Sequence, residues 1–273
     1  MTNVPDVQMG IAEIAGASLY YEIAGEGSCL VLAHAGIADR TMWDDQFAAF
    51  ARHYRVIRYD MRGFGDSPMT PGPFSHRQDL FGLLDFLGIE QAHLIGCSNG
   101  GATVIDFALE HPEMASSLVL VASAVNGYQF SGAPPKPVLE LMAALNKRNL
   151  DKAAELAAQI WVDGPQRTPD QLDLKVRERV KEMSRAALIN QLPDAVSEEG
   201  LEPPATQRLP ELDVPTLVVV GDLDDASILG IAEVLTGGIA GAKKMVIPGT
   251  AHMLAMEKPE AFNRVLLDFL QQV

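Results

Sequence analysis

The chain has 273 residues, of which 48% are hydrophobic and 21% charged, and its formal net charge at pH 7 is -15. This length and apolar content are sufficient for one large globular α/β domain, with or without an insertion. The acidic balance argues against nucleic acid and anionic membrane as partners, because both would repel such a surface.

Signals for a cofactor are absent from the sequence. The two cysteines, Cys29 and Cys97, are too few for a disulfide framework and are not spaced as metal ligands. No phosphate-binding glycine loop or HExxH motif occurs, so we expect no nucleotide and no metal. The first residues, MTNVPDVQMG, lack a secretory pattern and no later stretch reaches membrane-spanning length, which predicts a cytoplasmic protein. The sequence gives no indication of oligomeric state.

The first half of the chain alternates between strand and helix patterns. Apolar runs predict strands at 11–14, 18–24, 29–34, 55–60, 92–97 and 118–124. Helical patterns lie between the later strands, at 44–52, 76–87 and 99–110. Two early strands followed by this alternation predict a mostly parallel sheet with helices on both faces. Ligand sites in such sheets lie at the carboxyl ends of the strands.

The alternation stops after Val125. No strand pattern is visible from 126 to about 209, and the turn-rich GAPPKP at 132–137 marks the departure. Three apolar stripes at three-to-four spacing follow, which predicts helices near 138–145, 153–161 and 172–183. Strands return at 214–220 and 244–247, and a helix at 259–270 closes the chain. We therefore expect a helical cap, residues 126–209, inserted into an α/β core of residues 1–125 and 210–273.

A G-x-S-x-G pattern centred on Ser98 lies where strand 92–97 meets helix 99–110. A sharp strand-to-helix turn exposes the serine hydroxyl above the sheet, and glycines two residues away on each side let strand and helix approach closely. A serine hydroxyl needs an adjacent base, itself oriented by a third group, to act as a nucleophile. The pattern therefore predicts a nucleophile if the chain supplies both partners.

The loops after the last two strands supply those partners. The segment GDLDD follows strand 214–220 and contains three candidate acids, Asp222, Asp224 and Asp225. The segment PGTAHM follows strand 244–247 and contains His252. Nucleophile, acid and histidine then occur in the chain order of an α/β-hydrolase.

Five segments together resemble the capped esterase and enol-lactonase group of α/β-hydrolases: LVLAHAGIADRTMW, YDMRGFGDS, GCSNGG, VVVGDLDD and GTAHMLAMEKPEAF. The resemblance covers essentially the whole chain. It implies that Ser98 is the nucleophile, His252 the base and Asp224 the orienting acid. Asp222 and Asp225 are the alternatives for the acid.

The resemblance also implies an oxyanion hole made of two backbone N–H groups. One belongs to Asn99, at a helix N-terminus where the dipole favours negative charge. The other comes from the loop after strand 29–34, where the family has histidine, glycine and then the donor. This chain reads His34, Ala35, Gly36, so Gly36 is the expected donor and Ile37 the next in line.

Other residues receive structural or substrate-binding interpretations. We expect a modest hydrophobic pocket with candidate lining residues Ile37, Met142, Trp161, Met183 and Met253. Surface positions are expected for the cap arginines Arg148, Arg167, Arg177, Arg179 and Arg185. Surface or capping positions are likewise expected for His53, His76, His93 and His111. His34 is expected to shape its loop, Asp60 and Arg62 to form a loop-organising charge pair, and Cys97 to pack.

The sequence thus predicts a serine hydrolase without cofactors, cleaving a carboxylic ester or lactone through an acyl-enzyme. Its partner is a small-molecule substrate, for which we expect a neutral ester to be preferred to a carboxylate-bearing lactone. Two alternatives keep the triad: a hydrolase of carbon-carbon bonds in dienoic ring-cleavage products, and a perhydrolase. A dehalogenase is disfavoured, since it would have aspartate at position 98. An alternative of another class is a small-molecule receptor that retains the fold and triad, signals through cap movement and binds without turnover.

Overall fold

In the computed structural model, the described residues are 6–14, 16–130, 132–190 and 196–273. Over those residues the chain forms ten strands, numbered in chain order: β1 Gln8–Ile14, β2 Ala17–Ala24, β3 Cys29–Ala33, β4 Arg55–Tyr59, β5 Gly72–Phe74, β6 Ala92–Cys97, β7 Ala115–Val121, β8 Val196–Glu198, β9 Thr216–Gly221 and β10 Lys243–Ile247. Eight of them build one sheet in the order β1-β2-β4-β3-β6-β7-β9-β10.

The direction of the strands determines where the site lies. Within the eight-stranded sheet, β2 runs opposite to the other strands and pairs antiparallel with β1 and β4. All the other neighbouring strands of this sheet pair in parallel. Strands β6 and β9 are apolar over most of their length and almost wholly buried, as expected for strands covered on both faces. The carboxyl ends of β3, β6, β9 and β10 therefore meet at one edge of the sheet.

Nine α-helices accompany the strands in the described part of the chain: α1 Asp44–Phe50, α2 His76–Phe86, α3 Asn99–Glu110, α4 Lys136–Asn146, α5 Leu150–Ala158, α6 Leu174–Asn190, α7 Ala226–Gly238, α8 Leu254–Glu257 and α9 Pro259–Leu270. Helices α2 and α3 pack together, as do α1 and α9. Within residues 6–14, 16–130, 132–190 and 196–273, no helix has both the length and the apolar character needed to cross a membrane.

The segment between β7 and β9 is mainly helical. The three predicted stripes fall on α4, on α5 with the π-helical turn Gln159–Asp163 that continues it, and on α6. Helix α5 packs against both α4 and α6, so its apolar face is buried between them. The fold class predicted from the sequence is confirmed, and the division into core and cap stays a prediction.

Three features differ from the sequence expectations. Strand β7 ends at Val121 rather than 124, because Ala122 has a φ of 41°, which interrupts the extended backbone. The segment predicted to lack strands contains β8, which pairs with β5. That pairing joins two distant three-residue segments, so neither segment carries a pattern of its own. Helix α7 was not predicted from the sequence. It has apolar residues around most of its circumference and therefore lacks a recognisable apolar stripe.

Candidate active site

Ser98 lies in the turn between β6 and α3 with an unusual backbone conformation. Its φ is 52° and its ψ is -114°, a region that L-residues rarely occupy. Hydrogen bonds hold this conformation: Ser98 N–H donates to the carbonyl of Val121 at 3.0 Å, and the Ser98 carbonyl accepts from the N–H groups of Ala102 and Ala124 at 3.1 and 3.0 Å. The surrounding structure therefore imposes a strained turn on the serine, and its side chain is half-buried.

The glycines of the motif let strand and helix approach closely. A Cβ on Gly96 would overlap the carbonyl group of Gly100, and a Cβ on Gly100 would lie 2.6 Å from the carbonyl carbon of Ala33. Both contacts would be far closer than van der Waals contact. The spacing of glycines around Ser98 thus has a steric cause at each position.

His252 and Asp224 form a buried pair beyond the ends of β10 and β9. The Nδ1 of His252 lies 2.9 Å from Oδ2 of Asp224, and the two side chains are 2% and 0% exposed. The other oxygen of Asp224 accepts a hydrogen bond from the N–H of Asp225 at 2.8 Å. All three triad candidates lie in the described part of the chain, and in this conformation Ser98 Oγ forms no hydrogen bond with His252 or Asp224.

The two alternative acids have other partners. Asp222 is exposed and accepts the N–H of Gly249 at 2.5 Å. Asp225 caps α7, accepting the N–H of Ser227 at 2.9 Å and its hydroxyl at 2.5 Å. Only Asp224 among the three therefore contacts the histidine.

The backbone N–H groups expected in the oxyanion hole are close together. A Cβ built on Gly36 would lie 3.3 Å from the Cβ of Asn99, so the loop after β3 adjoins the start of α3. Over the residues that the structure describes, the N–H groups of Gly36, Ile37 and Asn99 have no hydrogen-bond acceptor. The N–H of Ala35 instead donates to Sδ of Met42 at 3.3 Å. Gly36 and Asn99 can therefore donate to a ligand, and so can Ile37.

His34 supports this loop from inside the core. Its Nε2 accepts the N–H of Met61 at 2.9 Å, and its Nδ1 lies 2.9 Å from the carbonyl of Ala35. These contacts match a neutral imidazole that donates from Nδ1, and burial lowers the pKa of His34, which favours that form. The expectation that His34 shapes the loop is confirmed.

Asp60 and Arg62 do not pair with each other, contrary to the expectation. Asp60 forms an ion pair with the guanidinium of Arg40 and accepts the N–H groups of Arg40 and Asp66 at 2.8 and 2.9 Å. Arg62 pairs with Asp79 at 2.5 and 2.9 Å. The interpretation as loop-organising charges holds, but the partners come from elsewhere in the chain, because neighbouring residues on a tight turn point in different directions.

The five candidate pocket residues do not form one lining. Trp161 contacts His252, with ring centroids 4.7 Å apart. Met253, which follows His252 in the chain, is fully buried. Met183 is buried, Ile37 is half-buried, and Met142 is 54% exposed, so Met142 lies on the surface. A cavity of about 610 Å³ is present, but its walls come from α4, α5, the π-helical turn and the segment after it, together with Arg177 of α6 and Asp225. Neither Ser98 nor any of the five candidates lines it.

The surface expectation fails for two of the cap arginines. Arg177 is 5% exposed and forms two hydrogen bonds with Asp163, at 2.8 and 3.1 Å, and one with Glu155 at 2.6 Å. The Arg167 side chain is 9% exposed and pairs with Glu257 at 2.5 Å. Both were missed because their carboxylate partners belong to other elements of the fold, which a local sequence pattern does not reveal.

The remaining cap arginines lie nearer the surface. Arg179 pairs with Asp44, Arg185 pairs with Asp151 at 2.6 Å, and Arg148 is exposed. For these three residues the expectation is confirmed. Four of these five arginines therefore have a carboxylate partner, which neutralises much of their charge.

Two of the four histidines expected at surface or capping positions lie there, and two do not. His53 is exposed and His111 caps the end of α3, as expected. His93 is half-buried, with Nδ1 2.9 Å from the hydroxyl of Ser117, and His76 is buried, so both differ from the expectation. Cys97 is buried, as expected, and burial raises the pKa of its thiol. Over the described residues, no group of three or more His, Cys, Asp or Glu side chains is arranged to hold a metal ion.

Fold and site together define a protein class. Residues 29–259 match the α/β hydrolase fold family, so the chain belongs to that family. It is 31% identical over 264 residues to a 2-hydroxy-6-oxononadienedioate/2-hydroxy-6-oxononatrienedioate hydrolase of Paraburkholderia phymatum, covering 93% of this chain and 91% of the relative. It is 28% identical over 262 residues to a 2-hydroxy-6-oxo-6-phenylhexa-2,4-dienoate hydrolase of Comamonas testosteroni, with the same coverage of 93% and 91%.

A solved structure with a similar fold supports the same family. The enol-lactonase of Burkholderia xenovorans superimposes with a TM-score of 0.77 at 25% identity, covering 96% of this chain and all of the other. The resemblance to esterase and lactonase proteins is therefore confirmed at the level of the family. Family and relatives support a hydrolase acting on a small molecule, and the type of bond it cleaves is treated next.

Proposed function

We propose that this protein is a serine hydrolase that cleaves a carboxylic ester or lactone with the triad Ser98, His252 and Asp224, beneath a helical cap of residues 126–209. The observation that carries the proposal is the hydrogen bond between His252 Nδ1 and Asp224 Oδ2, 2.9 Å long and shielded from water. It lies at the edge of the sheet where the strained turn of Ser98 also lies.

The chemistry follows from these groups. His252 Nε2 takes the proton of the Ser98 hydroxyl as Oγ attacks the carbonyl carbon, while Asp224 holds the other ring nitrogen in its protonated form. The N–H groups of Asn99 and Gly36 stabilise the negative charge that develops on the carbonyl oxygen. His252 then gives the proton to the departing alkoxide. A water molecule, deprotonated by the same imidazole, hydrolyses the acyl-enzyme and restores Ser98.

Two observations support this proposal, the first concerning the type of bond and the second the charge of the substrate. The enol-lactonase with a TM-score of 0.77 has the same fold over 96% of this chain. In addition, Arg167, Arg177, Arg179 and Arg185 of the cap each pair with a carboxylate, so they are poorly placed to bind an anionic substrate. A neutral substrate needs no such cation.

A second candidate is hydrolysis of carbon-carbon bonds in dienoic ring-cleavage products. It is favoured by the two curated relatives, which are named as dienoate and dienedioate hydrolases and are 28% and 31% identical to this chain. The two candidates share the triad and differ in the substrate. A panel of neutral short-chain esters, enol-lactones and 2-hydroxy-6-oxo-dienoates, compared by kcat/KM, separates them.

The triad itself is tested by substitution. Ser98→Ala should lower kcat on whichever substrate is turned over by on the order of a millionfold, because the nucleophile is lost. Asp224→Asn should lower kcat by roughly ten-thousandfold, because the imidazole is then held in the wrong tautomer. The measurement is steady-state kinetics on purified protein whose thermal unfolding matches that of the wild type.

Asp222→Asn is the matched control for the acid. An asparagine oxygen can still accept the N–H of Gly249, so this variant should retain kcat within about threefold. A large loss in Asp222→Asn with a mild effect in Asp224→Asn would contradict the assignment of the acid. Full turnover in Ser98→Ala would overturn the proposed mechanism, and binding without turnover in the wild type would favour a receptor.

A further inference from the structure

Arg167 connects the cap to the loop that carries His252. Its Nη2 and Nε donate to the carbonyl groups of Val162 and Asp163, at 2.6 and 3.0 Å, at the end of the π-helical turn. Its Nη1 donates to Oε2 of Glu257 at 2.5 Å and lies 3.4 Å from the carbonyl of Gly249. One guanidinium thus bonds the end of the π-helical turn and the segment around the histidine at the same time.

Glu257 completes the connection on the other side. Its Oε1 accepts the N–H of Ala251, the residue before His252, at 2.9 Å. The side chains of Arg167 and Glu257 are 9% and 10% exposed, so water competes little for these bonds. The cap pair Arg185 and Asp151 is different, because its side chains are 51% and 80% exposed.

The π-helical turn also carries Trp161, whose ring lies against His252. The ring centroids are 4.7 Å apart and the planes are inclined by 41°. Trp161 immediately precedes Val162, whose carbonyl Arg167 holds. The same guanidinium therefore restrains both the tryptophan and, through Glu257, the backbone of the histidine loop.

We propose that Arg167 and Glu257 are positioning residues that hold Trp161 against the face of His252, an inference that rests on the proposed function. Asp224 holds the imidazole at Nδ1 and the tilted ring of Trp161 contacts it, so Nε2 is the ring nitrogen left to accept the proton of Ser98. An aromatic face also favours the imidazolium that forms during the reaction. Breaking the connection lets the ring turn away from the productive geometry, and small displacements of catalytic groups reduce the rate strongly.

The test is a double-mutant cycle with 4-nitrophenyl butyrate as the neutral ester. Arg167→Met and Glu257→Gln should each lower kcat by roughly ten- to hundredfold while KM changes by less than about threefold, because geometry at the reacting atoms is lost and not substrate binding. The double variant should be no slower than the slower single variant, because both remove the same connection. Arg185→Met, an exposed arginine of the same cap, should keep the wild-type kcat.

Variants of Trp161 provide the second arm, which does not depend on Arg167→Met folding. Trp161→Leu should show the same loss of kcat as Arg167→Met, and Trp161→Phe, which keeps an aromatic face, should recover most of it. All rates are taken well below the melting transition of each variant, so that unfolded protein does not contribute.

The outcomes separate this inference from the proposed function. Wild-type kcat in Trp161→Leu, additive losses in the double variant, or a loss confined to KM would overturn the positioning role while leaving the triad untouched. Full activity in Ser98→Ala would overturn the proposed function first, whatever the Arg167 and Glu257 variants do.

Discussion

His76 is a histidine that the fold keeps neutral. It is 5% exposed and lies between the rings of Phe64 and Phe74, with centroids 6.2 and 5.0 Å away. Among the described residues its Nδ1 has no hydrogen-bond partner. Burial lowers the pKa of His76 to about 3, and the positive charge of Arg62 acts in the same direction. A proton that the unfolded chain binds near pH 6.5 is therefore excluded from the folded protein.

We predict that His76 makes the protein sensitive to acid. Its contribution to stability is complete above pH ~6.5 and is lost as the pH falls from there towards about 3, because only the unfolded state takes up the proton in that range. In His76→Leu the free energy of unfolding should depend less steeply on pH, by about 1.4 kcal/mol per pH unit. Urea unfolding at several pH values between 6.5 and 4.5 measures the slope.

His53→Leu, which replaces an exposed histidine with leucine, is the control for the substitution itself. Equal slopes for wild type and His76→Leu would contradict the buried, neutral state of His76.

At the scale of elements, the π-helical turn and α6 are joined by a buried ion pair. Arg177 on α6 and Asp163 at the end of the turn are 5% and 2% exposed and share two hydrogen bonds. Arg177 also extends to Glu155 on α5, and its hydrogen bond lowers the pKa of that carboxyl. Helix α5, the π-helical turn and α6 are therefore held together by charge as well as by apolar packing.

Removing one member of this pair should be costly. Arg177→Met leaves the carboxylate of Asp163 buried without its partner, which typically reduces the free energy of unfolding by about 3–5 kcal/mol. Arg185→Met, which removes an exposed ion pair, should cost no more than about 1 kcal/mol. Denaturant unfolding followed by circular dichroism compares the two variants, and similar losses would contradict a special role for the buried pair.

At the scale of the whole molecule, the net charge of -15 governs the approach of charged substrates. Arg167, Arg177, Arg179 and Arg185 are each paired with a carboxylate, so these arginines do little to offset the negative charge. A carboxylate-bearing substrate is therefore repelled during approach, whereas a neutral ester is not.

This predicts that salt affects the kcat/KM of an anionic substrate but not that of a neutral one. Raising the ionic strength from roughly 0.02 to 0.3 M should increase kcat/KM for a carboxylate-bearing lactone by about threefold or more, because salt screens the repulsion. For a neutral ester of similar size, kcat/KM should stay nearly constant and should be the larger of the two. A preference of about a hundredfold for the anionic lactone, abolished by replacing one cap arginine with alanine, would contradict the neutral-ester interpretation.

The fold class followed from local patterns in the sequence. Buried parallel strands read as continuous apolar runs, and these runs located eight strands of the sheet to within about three residues of their ends. The carboxyl ends of those strands also carry Ser98, Asp224 and His252, whose proposed roles came from their order and from the family resemblance. Such features are readable because periodicity and turn chemistry depend on residues close together in the chain.

Only the tertiary structure decided which side chains meet. Asp60 pairs with Arg40 rather than Arg62, Arg167 reaches Glu257 across 90 residues, and His76 enters a space between two aromatic rings. Each outcome depends on which distant segments are brought together and how much water remains between them, and neither quantity has a local pattern. The sequence by itself therefore determined the class of fold and the chain order of the candidate triad. Packing decided the choice of Asp224 as the partner of His252 and the burial of Arg177.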